Sequence, residues 1–358
     1  MIPRLTPDSD AEDLRAAVRD FLARHTEPAR EPDQPWDPTV WKRLAGELGV
    51  VALDVPEAAG GAGATFREVG VVAEELGRSL ARLPWFSTAV LGVGVLLHTG
   101  GDDELLAELA AGSTTATLAE REAPGGQATR AEEDAGGWRL TGGKTLVVEG
   151  ATADLLFAVA AVDGQSAVFV VDAEADGLTR TPMRALDPNR QLADVVFDRT
   201  PATLLAADAQ EVLDRVHDRA AAALACEQTG GAAAALELSA TYAAQRLQFG
   251  RPIGSFQAIK HRCADMAVRV EAARSASLWA AATAADDPAE LPTAAATAAL
   301  VCGEAYRWVA AETVQVHGGI GFTWEHPAHL HVRRAATTAV LVAAPAAHRE
   351  ALLARLGI

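Results

Sequence analysis

Near Gly112 the hydrophobic rhythm of this chain changes from helical to alternating, and near Pro201 it changes back, so any fold must place a β-rich block between two helical ones. Upstream of the first switch, Asp8, Ser9 and Asp10 offer N-cap side chains, and Leu14, Val18, Phe21, Leu22 and His25 recur on one helical face. Trp41, Leu44, Leu48 and Val51 form a second stripe, ended by the turn-forming PEAAGGAGA at 56–64. FREVGVVAEELGRSLA predicts a third helix, and the very apolar LPWFSTAVLGVGVLL begins a fourth. Between the switches, TTATLA, GWRLTGGKTLVV, ADLLFAVAAV, SAVFVVDA and DVVFD are short runs of β-favouring residues divided by Gly, Asp and Pro. Strands at that spacing predict a compact β-domain that closes near Pro201.

From about Asp208 the chain is helical again, and the alanine-rich 219–245 stretch favours helix on propensity alone. After the FGRPIG break, Phe256, Ile259, Cys263, Met266, Val270 and Ala273 keep helical spacing; a loop at 286–292 and a long helix over 293–316 follow. Long helices joined by short loops predict an up-and-down bundle. The predicted class is therefore α+β: an N-terminal α-helical domain at 1–112, a middle β-domain at 113–203, and a C-terminal four-helix bundle at 204–358.

Several function classes are excluded at this level. A net charge of −17 disfavours nucleic acid and anionic membrane surfaces, because phosphate repulsion would have to be overcome locally. A nucleotide ligand stays possible, since a few placed Arg side chains or backbone N–H groups suffice. Cys226, Cys263 and Cys302 are scattered without CxxC or ligand-like His spacing, and read as small buried apolar residues in a reducing compartment. No metal site is expected. No apolar run reaches the ~18 residues of a membrane span, and MIPRLTPDSDAEDLR lacks the apolar core of a signal peptide, so a cytoplasmic protein is expected.

Two segments carry chemistry. One is Arg246-Leu247-Gln248-Phe249-Gly250, continuing RPIGSFQAIKHRCADM; the other is Gln315-Val316-His317-Gly318-Gly319-Ile320-Gly321-Phe322, continuing TWEHPAHLHVRRA. A diphosphate needs cationic and N–H donors, and an Arg at a helix end beside glycines supplies both. Glycines at 318, 319 and 321 let the backbone approach a ligand where a side chain would clash. Taken singly, each has a plainer reading: Arg246 caps a helix, the glycines form a turn, and Phe249 fills the core.

Together the two segments resemble the C-terminal signatures of the acyl-CoA dehydrogenase family, R-x-Q-F-G…F-Q and Q-x-x-G-G-x-G-x-x-x-E. The Pro56–Gly63 turn matches as well, as does the α–β–α order over essentially the whole chain. The resemblance implies that Arg246, Gln248, Phe249, Gln315, Gly318 and Gly319 grip the ADP half of an FAD bound mainly by a neighbouring subunit. Three departures concern the flavin ring and the chemistry. Where the family has T-E-P-x-A-G-S-D, this chain reads Leu118-Ala119-Glu120-Arg121-Glu122-Ala123-Pro124, with a Glu at the hydroxyl position. Where the family has K-x-W-I-T-N it reads Lys144-Thr145-Leu146-Val147-Val148-Glu149, so Leu146 and Val148 replace the Trp and Thr beside the isoalloxazine. Desaturation also needs a carboxylate to remove the thioester α-proton. The family's two positions for that base fall here at Val342 and near Ala220, both aliphatic.

Glu227, about two turns beyond Ala220, is a candidate displaced base, although a buried Glu paired with a neighbour is the plainer reading. Glu325, His317 and His331 are expected to be structural, and the Trp residues mostly core fillers. A chain that keeps the grip on FAD but loses the ring cradle and the base resembles the degenerate subunit of actinobacterial heterotetrameric dehydrogenases, notably those acting on steroid side-chain CoA thioesters. The implied partner is a second acyl-CoA dehydrogenase-type subunit, which binds most of the acyl-CoA and supplies the catalytic Glu. Two alternatives stay open: a self-sufficient homotetramer with a displaced base, and a non-enzymatic scaffold on the same fold.

Overall fold

The computed structural model describes residues 5, 8–28, 35–100, 102–126 and 128–358. Of the N-terminal stretch expected to lack a leader's apolar core, residues 1–4, 6 and 7 lie outside the described residues. Helix α1 (Ser9–His25) starts where predicted, with the Asp8 carboxylate accepting from the Ala11 N–H; α2 (Pro38–Leu48) is capped by Asp37 and closed by Gly49 at φ +64°. Thr65 and Glu68 form a reciprocal capping box at the start of α3 (Phe66–Ser79). The predicted fourth helix begins instead as a π-helical segment, Phe86–Gly92, before tightening into α4 (Val93–His98); α5 (Asp103–Ala110) follows. Within the wide coil the Ser87 hydroxyl donates to Pro84 O.

The strands are β1 (Ala116–Ala119), β2 (Arg130–Asp134), β3 (Gly137–Val148), β4 (Leu155–Val162), β5 (Gln165–Asp172), β6 (Leu178–Met183) and β7 (Leu192–Ala206). After them come α6 (Gln210–Gln245), the short strands β8 (Leu247–Gln248) and β9 (Arg251–Pro252), α7 (Gln257–Asp286), α8 (Leu291–His317), a 3-10 turn at Gly318–Phe322, α9 (Ala328–Thr338) and α10 (Pro345–Leu356). Among the described residues no helix is long and apolar enough to cross a membrane.

The chain divides into two compact units. One comprises Glu31–Ala64 and Arg82–His217 and holds the sheet. There β4, β5, β7, β3 and β2 pair in a ring, with β1 parallel to β4 and β6 on the edge of β7. The ring closes on Leu140, Val147, Leu156, Phe169, Val171, Val195 and Phe197. Contrary to the expected closure near Pro201, β7 continues to Ala206. Proline is tolerated because it falls where one edge of β7 has left β6, last paired at Phe197, and has not yet met β5, first paired at Thr203.

The other unit comprises Met1–Arg30, Thr65–Ala81 and Asp218–Ile358. Four helices contribute to one core there: Ala232, Ala233 and Ala235 from α6, Met266 and Val270 from α7, Tyr306, Val309 and Ala310 from α8, and Ala335 from α9. α3 crosses α6 backbone against backbone. A Cβ on Gly77 would lie 2.0 Å from Glu227 O, and one on Gly230 would lie 1.8 Å from Glu74 O.

That crossing leaves no room for a methyl group, whereas Gly46 in α2 has nothing within 4 Å of its missing Cβ. Gly230→Ala is therefore expected to destabilise the chain by at least ~1–3 kcal/mol, and Gly46→Ala to stabilise it by about 0.5–1 kcal/mol. Thermal melts of the two variants check the opposite signs.

Candidate functional site

α6 ends at Gln245, and the chain reverses through the β8–β9 hairpin. Its two connecting residues, Phe249 and Gly250, both take positive φ (+51° and +76°), the backbone that a two-residue turn demands. For Gly250 this is free of strain; for a phenylalanine it is not. The Phe249 ring is also 90% exposed, so it does not fill the core as its plainer reading held. Phe256 meets it edge-on at 6.0 Å, and the Arg251 guanidinium lies 4.1 Å from the centre of the Phe256 ring. Arg246 closes the hairpin through its backbone: its N–H donates to Tyr242 O (2.8 Å) and its carbonyl accepts from the Ile253 N–H (2.8 Å). The side chains of Arg246 and Gln248 are exposed, and Gln248 Nε2 donates to Leu247 O at 2.8 Å.

α8 carries the second segment. Gln315 is exposed in the last turn of the helix, and Gly318 terminates the helix at φ +61° with its N–H donating to Gln315 O and Val314 O. A Cβ at Gly318 or Gly319 would meet nothing within 4 Å, so this backbone faces open space that a ligand can enter. Gly321 differs, since a Cβ there would lie 3.0 Å from Val314 O; its role is to let the turn fold back on α8. Ile320, Phe322 and Trp324 are exposed around the turn.

The structure brings the two segments to one end of their unit. Tyr242, one turn before Arg246, packs its ring against that of His317, the residue before Gly318, with centroids 4.4 Å apart. Thr313 Oγ1 donates across to Ala235 O (3.1 Å), tying α8 to α6 further back. The result is a guanidinium, two amides, an open glycine backbone and an exposed aromatic ring near one another. That set suits an anionic, ring-bearing ligand.

Neither family base position carries an acid. Ala220 is fully buried within α6, and Val342 lies half-buried in the bend after α9. Glu227 is buried and accepts from Arg334 Nη1 at 3.0 Å, so it is a core ion pair rather than a carboxylate aimed at substrate. Glu325 is exposed. His331 is buried beside Tyr306, Nδ1 to Oη 3.0 Å, and burial drives its pKa down to about 3. Among the described residues no His, Cys, Asp or Glu cluster could hold a metal. Cys226 and Cys302 are buried and free, while Cys263 is half-buried.

In the sheet-bearing unit, the segments at the flavin-cradle positions are engaged with each other. Glu120 meets His217 (Oε2 to Nε2, 2.6 Å), 97 positions away in sequence, a partner that no sequence signal foretold. Lys144 is buried and its Nζ donates to Glu120 O (2.9 Å) and to Glu122; burial lowers its pKa, and Glu122 opposes that shift. Leu146 adopts φ +56° at an irregularity in the β3–β7 register, and Val148 is buried with its carbonyl accepting from the Thr117 hydroxyl. Neither side chain donates a hydrogen bond. The donor chemistry of Arg246, Gln248, Gln315 and the open Gly318–Gly319 backbone in the helical unit is of the kind an ADP moiety needs, whereas Leu146 and Val148 of the sheet offer no donor to a flavin ring.

Comparison with known proteins follows the same lines. A model described as acyl-CoA dehydrogenase, N-terminal domain, matches residues 8–113, and one described as acyl-CoA dehydrogenase, C-terminal domain, matches residues 202–356. Acyl-CoA dehydrogenase IpdE2 of Mycobacterium tuberculosis is 36% identical over 346 residues, covering 95% of each chain. A chain in the ChsE4-ChsE5 complex from Mycobacterium tuberculosis superposes with a TM-score of 0.88 and 27% identity over 99% of both chains. A chain of the Tcur3481-Tcur3483 steroid ACAD superposes with a TM-score of 0.85 and 30% identity, covering 97% of this chain and 98% of that one.

The buried pair and the buried imidazole give two measurable outcomes. Glu227→Gln or Arg334→Met alone is expected to cost about 3–5 kcal/mol in denaturant melts, and the paired replacement Glu227→Leu with Arg334→Met to recover most of it. His331 refuses a proton that the unfolded chain accepts below the ordinary value of 6.5, so its contribution to stability is intact at neutral pH. That contribution is lost as acid is added, at up to about 1.4 kcal/mol per pH unit. Denaturant melts of His331→Gln against the parent chain should show a shallower acid slope.

Proposed function

The chain belongs to the acyl-CoA dehydrogenase family, oxidoreductases acting on CH–CH bonds, and from that premise we propose that it is the non-catalytic subunit of a flavin-dependent acyl-CoA dehydrogenase. One observation carries the reading: the Arg246–Gly250 and Gln315–Gly319 segments are exposed at one end of the helical unit, while the positions expected to hold a base are aliphatic or ion-paired. Arg246 places a fixed positive charge for a diphosphate, and the open backbone at Gly318 and Gly319 lets a ligand approach at close range. Gln248 and Gln315 supply amides that orient polar groups of the nucleotide, and the Phe249 ring offers an apolar face to a base or to the opposing chain.

FAD, when bound, accepts the hydride that leaves the β-carbon of the acyl thioester. The α-proton leaves to a carboxylate, and this chain supplies none: Val342 and Ala220 cannot accept it, and Glu227 is held by Arg334. The partner is a second acyl-CoA dehydrogenase-type subunit, which contributes the catalytic Glu, most of the acyl-CoA pocket and the flavin-ring cradle. The whole is a heterotetramer with one FAD per heterodimer. Likeness to the ChsE4-ChsE5 complex and to a steroid ACAD supports both the paired assembly and a steroid side-chain CoA thioester as substrate. The exposed apolar side chains of Leu247, Phe249, Ile320, Phe322 and Trp324 support an interface there, since a docked partner would remove them from water.

Co-expression with the partner and a count of flavins tests this. The complex should carry one FAD per heterodimer and oxidise acyl-CoA with a dye acceptor, while this chain alone does neither. Arg246→Ala in the complex should release FAD, consistent with loss of a charge-assisted contact of about 1.5–3 kcal/mol. Glu227→Gln should lower stability and leave turnover by the surviving complex unchanged. Dye-linked turnover by the isolated chain would overturn the proposal.

A further inference from the structure

Four imidazoles, His317, His326, His329 and His331, lie within fifteen residues of the second signature, and the function proposed above uses none of them. His331 is spoken for by Tyr306. His317 and His326 are different, because they pack on each other with ring centroids 4.3 Å apart at the point where the two gripping segments meet.

Hydrogen bonding fixes opposite tautomers in the two rings. His317 Nδ1 lies 2.7 Å from Thr313 O; a carbonyl only accepts, so Nδ1 carries the proton. Its Nε2 is then a bare acceptor, buried and without a partner among the described residues. His326 is reversed: its Nδ1 accepts from the Ala328 N–H at 3.2 Å, so its proton sits on Nε2. A second proton has nowhere good to go on either ring. On His317 it would create a buried donor with no acceptor, and on His326 it would set two donors face to face.

The surroundings do not offset such a charge. From α6, His317 meets the Tyr242 ring. On its own helix, Glu312 is engaged by Arg262. In the turn that follows, Glu325 is exposed, His329 meets Trp324 edge-on at 5.0 Å, and the Arg333 guanidinium sits 4.6 Å from the centre of the same indole. His329 and His317 both act on His326 as further positive groups when charged. Among the described residues no carboxylate hydrogen-bonds to either ring.

We propose that His317 is a positioning residue: neutral, and packed against Tyr242 and His326, it holds the Arg246 segment and the Gly318–Gly319 turn in register, and acid opens this clasp. The proposal rests on the trans-gripping function argued above. Tyr242 is tied to Arg246 by the backbone hydrogen bond from the Arg246 N–H, and His317 directly precedes Gly318, so movement of either ring moves the donors it adjoins. Gly321 adds rigidity, since the returning turn leaves only 3.1 Å between its missing Cβ and the His317 Cβ.

The sign of the pH effect follows from burial. Both rings are held below the ordinary value of 6.5, so the closed clasp refuses protons that the opened one accepts. The clasp is complete above that value and loosens as the pH falls beneath it.

The test uses the chain co-purified with its dehydrogenase-type partner, and follows FAD retention from about pH 8 to about pH 5. In the parent complex, retention should weaken towards tenfold for each unit of acidification below the histidine range. His317→Phe keeps a packed ring that cannot be protonated; it should bind FAD within about threefold of the parent at neutral pH and show a flattened acid limb. His317→Ala should lose about tenfold or more at every pH, as the ring contact is gone. An unchanged acid limb in the Phe variant, or parent-like retention in the Ala variant, would overturn the proposal. Hydrogen exchange of the Gly318–Phe322 amides, corrected for intrinsic pH dependence, is followed in the same complexes. It should accelerate in acid for the parent and not for His317→Phe; equal acceleration in both sinks the clasp. A parent complex that carries no FAD at all would sink the trans grip instead, and the exchange measurement would still decide the clasp.

Discussion

Everything in the helical unit is arranged around the contact between α3 and α6, where Gly77 and Gly230 let two backbones touch. Helices at that separation bury whatever lies beside the crossing, and here it is three acids. Glu74 and Glu75 of α3 and Glu227 of α6 are carried into low-dielectric surroundings, where an uncompensated carboxylate is too costly to keep. Arg15 and Arg19 of α1 and Arg274 of α7 neutralise the first two, and Arg334 of α9 neutralises the third. A purely steric economy at two glycines thus dictates ion pairs that tie α1, α7 and α9 to the crossing. With α6 so constrained, the position of its C-terminal end, and of Arg246, is not free to vary.

The same dependence on distant partners explains what could be read in the sequence. β3 was legible in GWRLTGGKTLVV, a run of β-favouring residues bounded by glycine. β2 and β6 were not: RAEED is exposed apart from Ala131 and LTRTPM has no fully buried residue, and both pair through backbone groups that leave no trace in hydropathy. Long helices were legible from spacing and alanine content, but a π-helical start at Phe86 was not, since nothing in a side-chain pattern marks an extra residue per turn. At the site, the two motif segments lie at one end of the helical unit, joined through Tyr242 and His317. Their local states escaped notice. The positive φ of Phe249, its solvent exposure and the Tyr242–His317 packing all depend on segments far apart in the chain.

Glu227 shows the reverse case. Its identity as an acid near a family base position was visible, and so was the plainer alternative of a buried pair. Only the location of Arg334, 107 positions away, decides between them. An ionisable side chain acquires its chemistry from its neighbours, so residue type at a spacing nominates it without assigning it a role. His217 makes the point again: it turns Glu120 from a surplus charge into half of a pair.

On the proposed reading, why a chain should keep a grip and lose a base follows from where the two kinds of residue sit. Gly250, Gly318 and Gly321 belong to the turns that follow α6 and α8, and replacing them disturbs the fold as well as any ligand. A base or a ring-facing donor protrudes from an element that would form equally well without it. Val342 ends no helix, and Leu146 and Val148 occupy a strand that favours aliphatic side chains. Leu146 is the telling residue. It holds φ +56°, a conformation that costs an ordinary side chain of the order of 1–2 kcal/mol. The backbone irregularity at that place in β3 therefore persists under a residue that neither favours it nor makes use of it. On the proposed reading, such a strand is a shape retained from a catalytic ancestor after its chemistry passed to the partner, and the constraint that retains it is the closed sheet rather than the flavin.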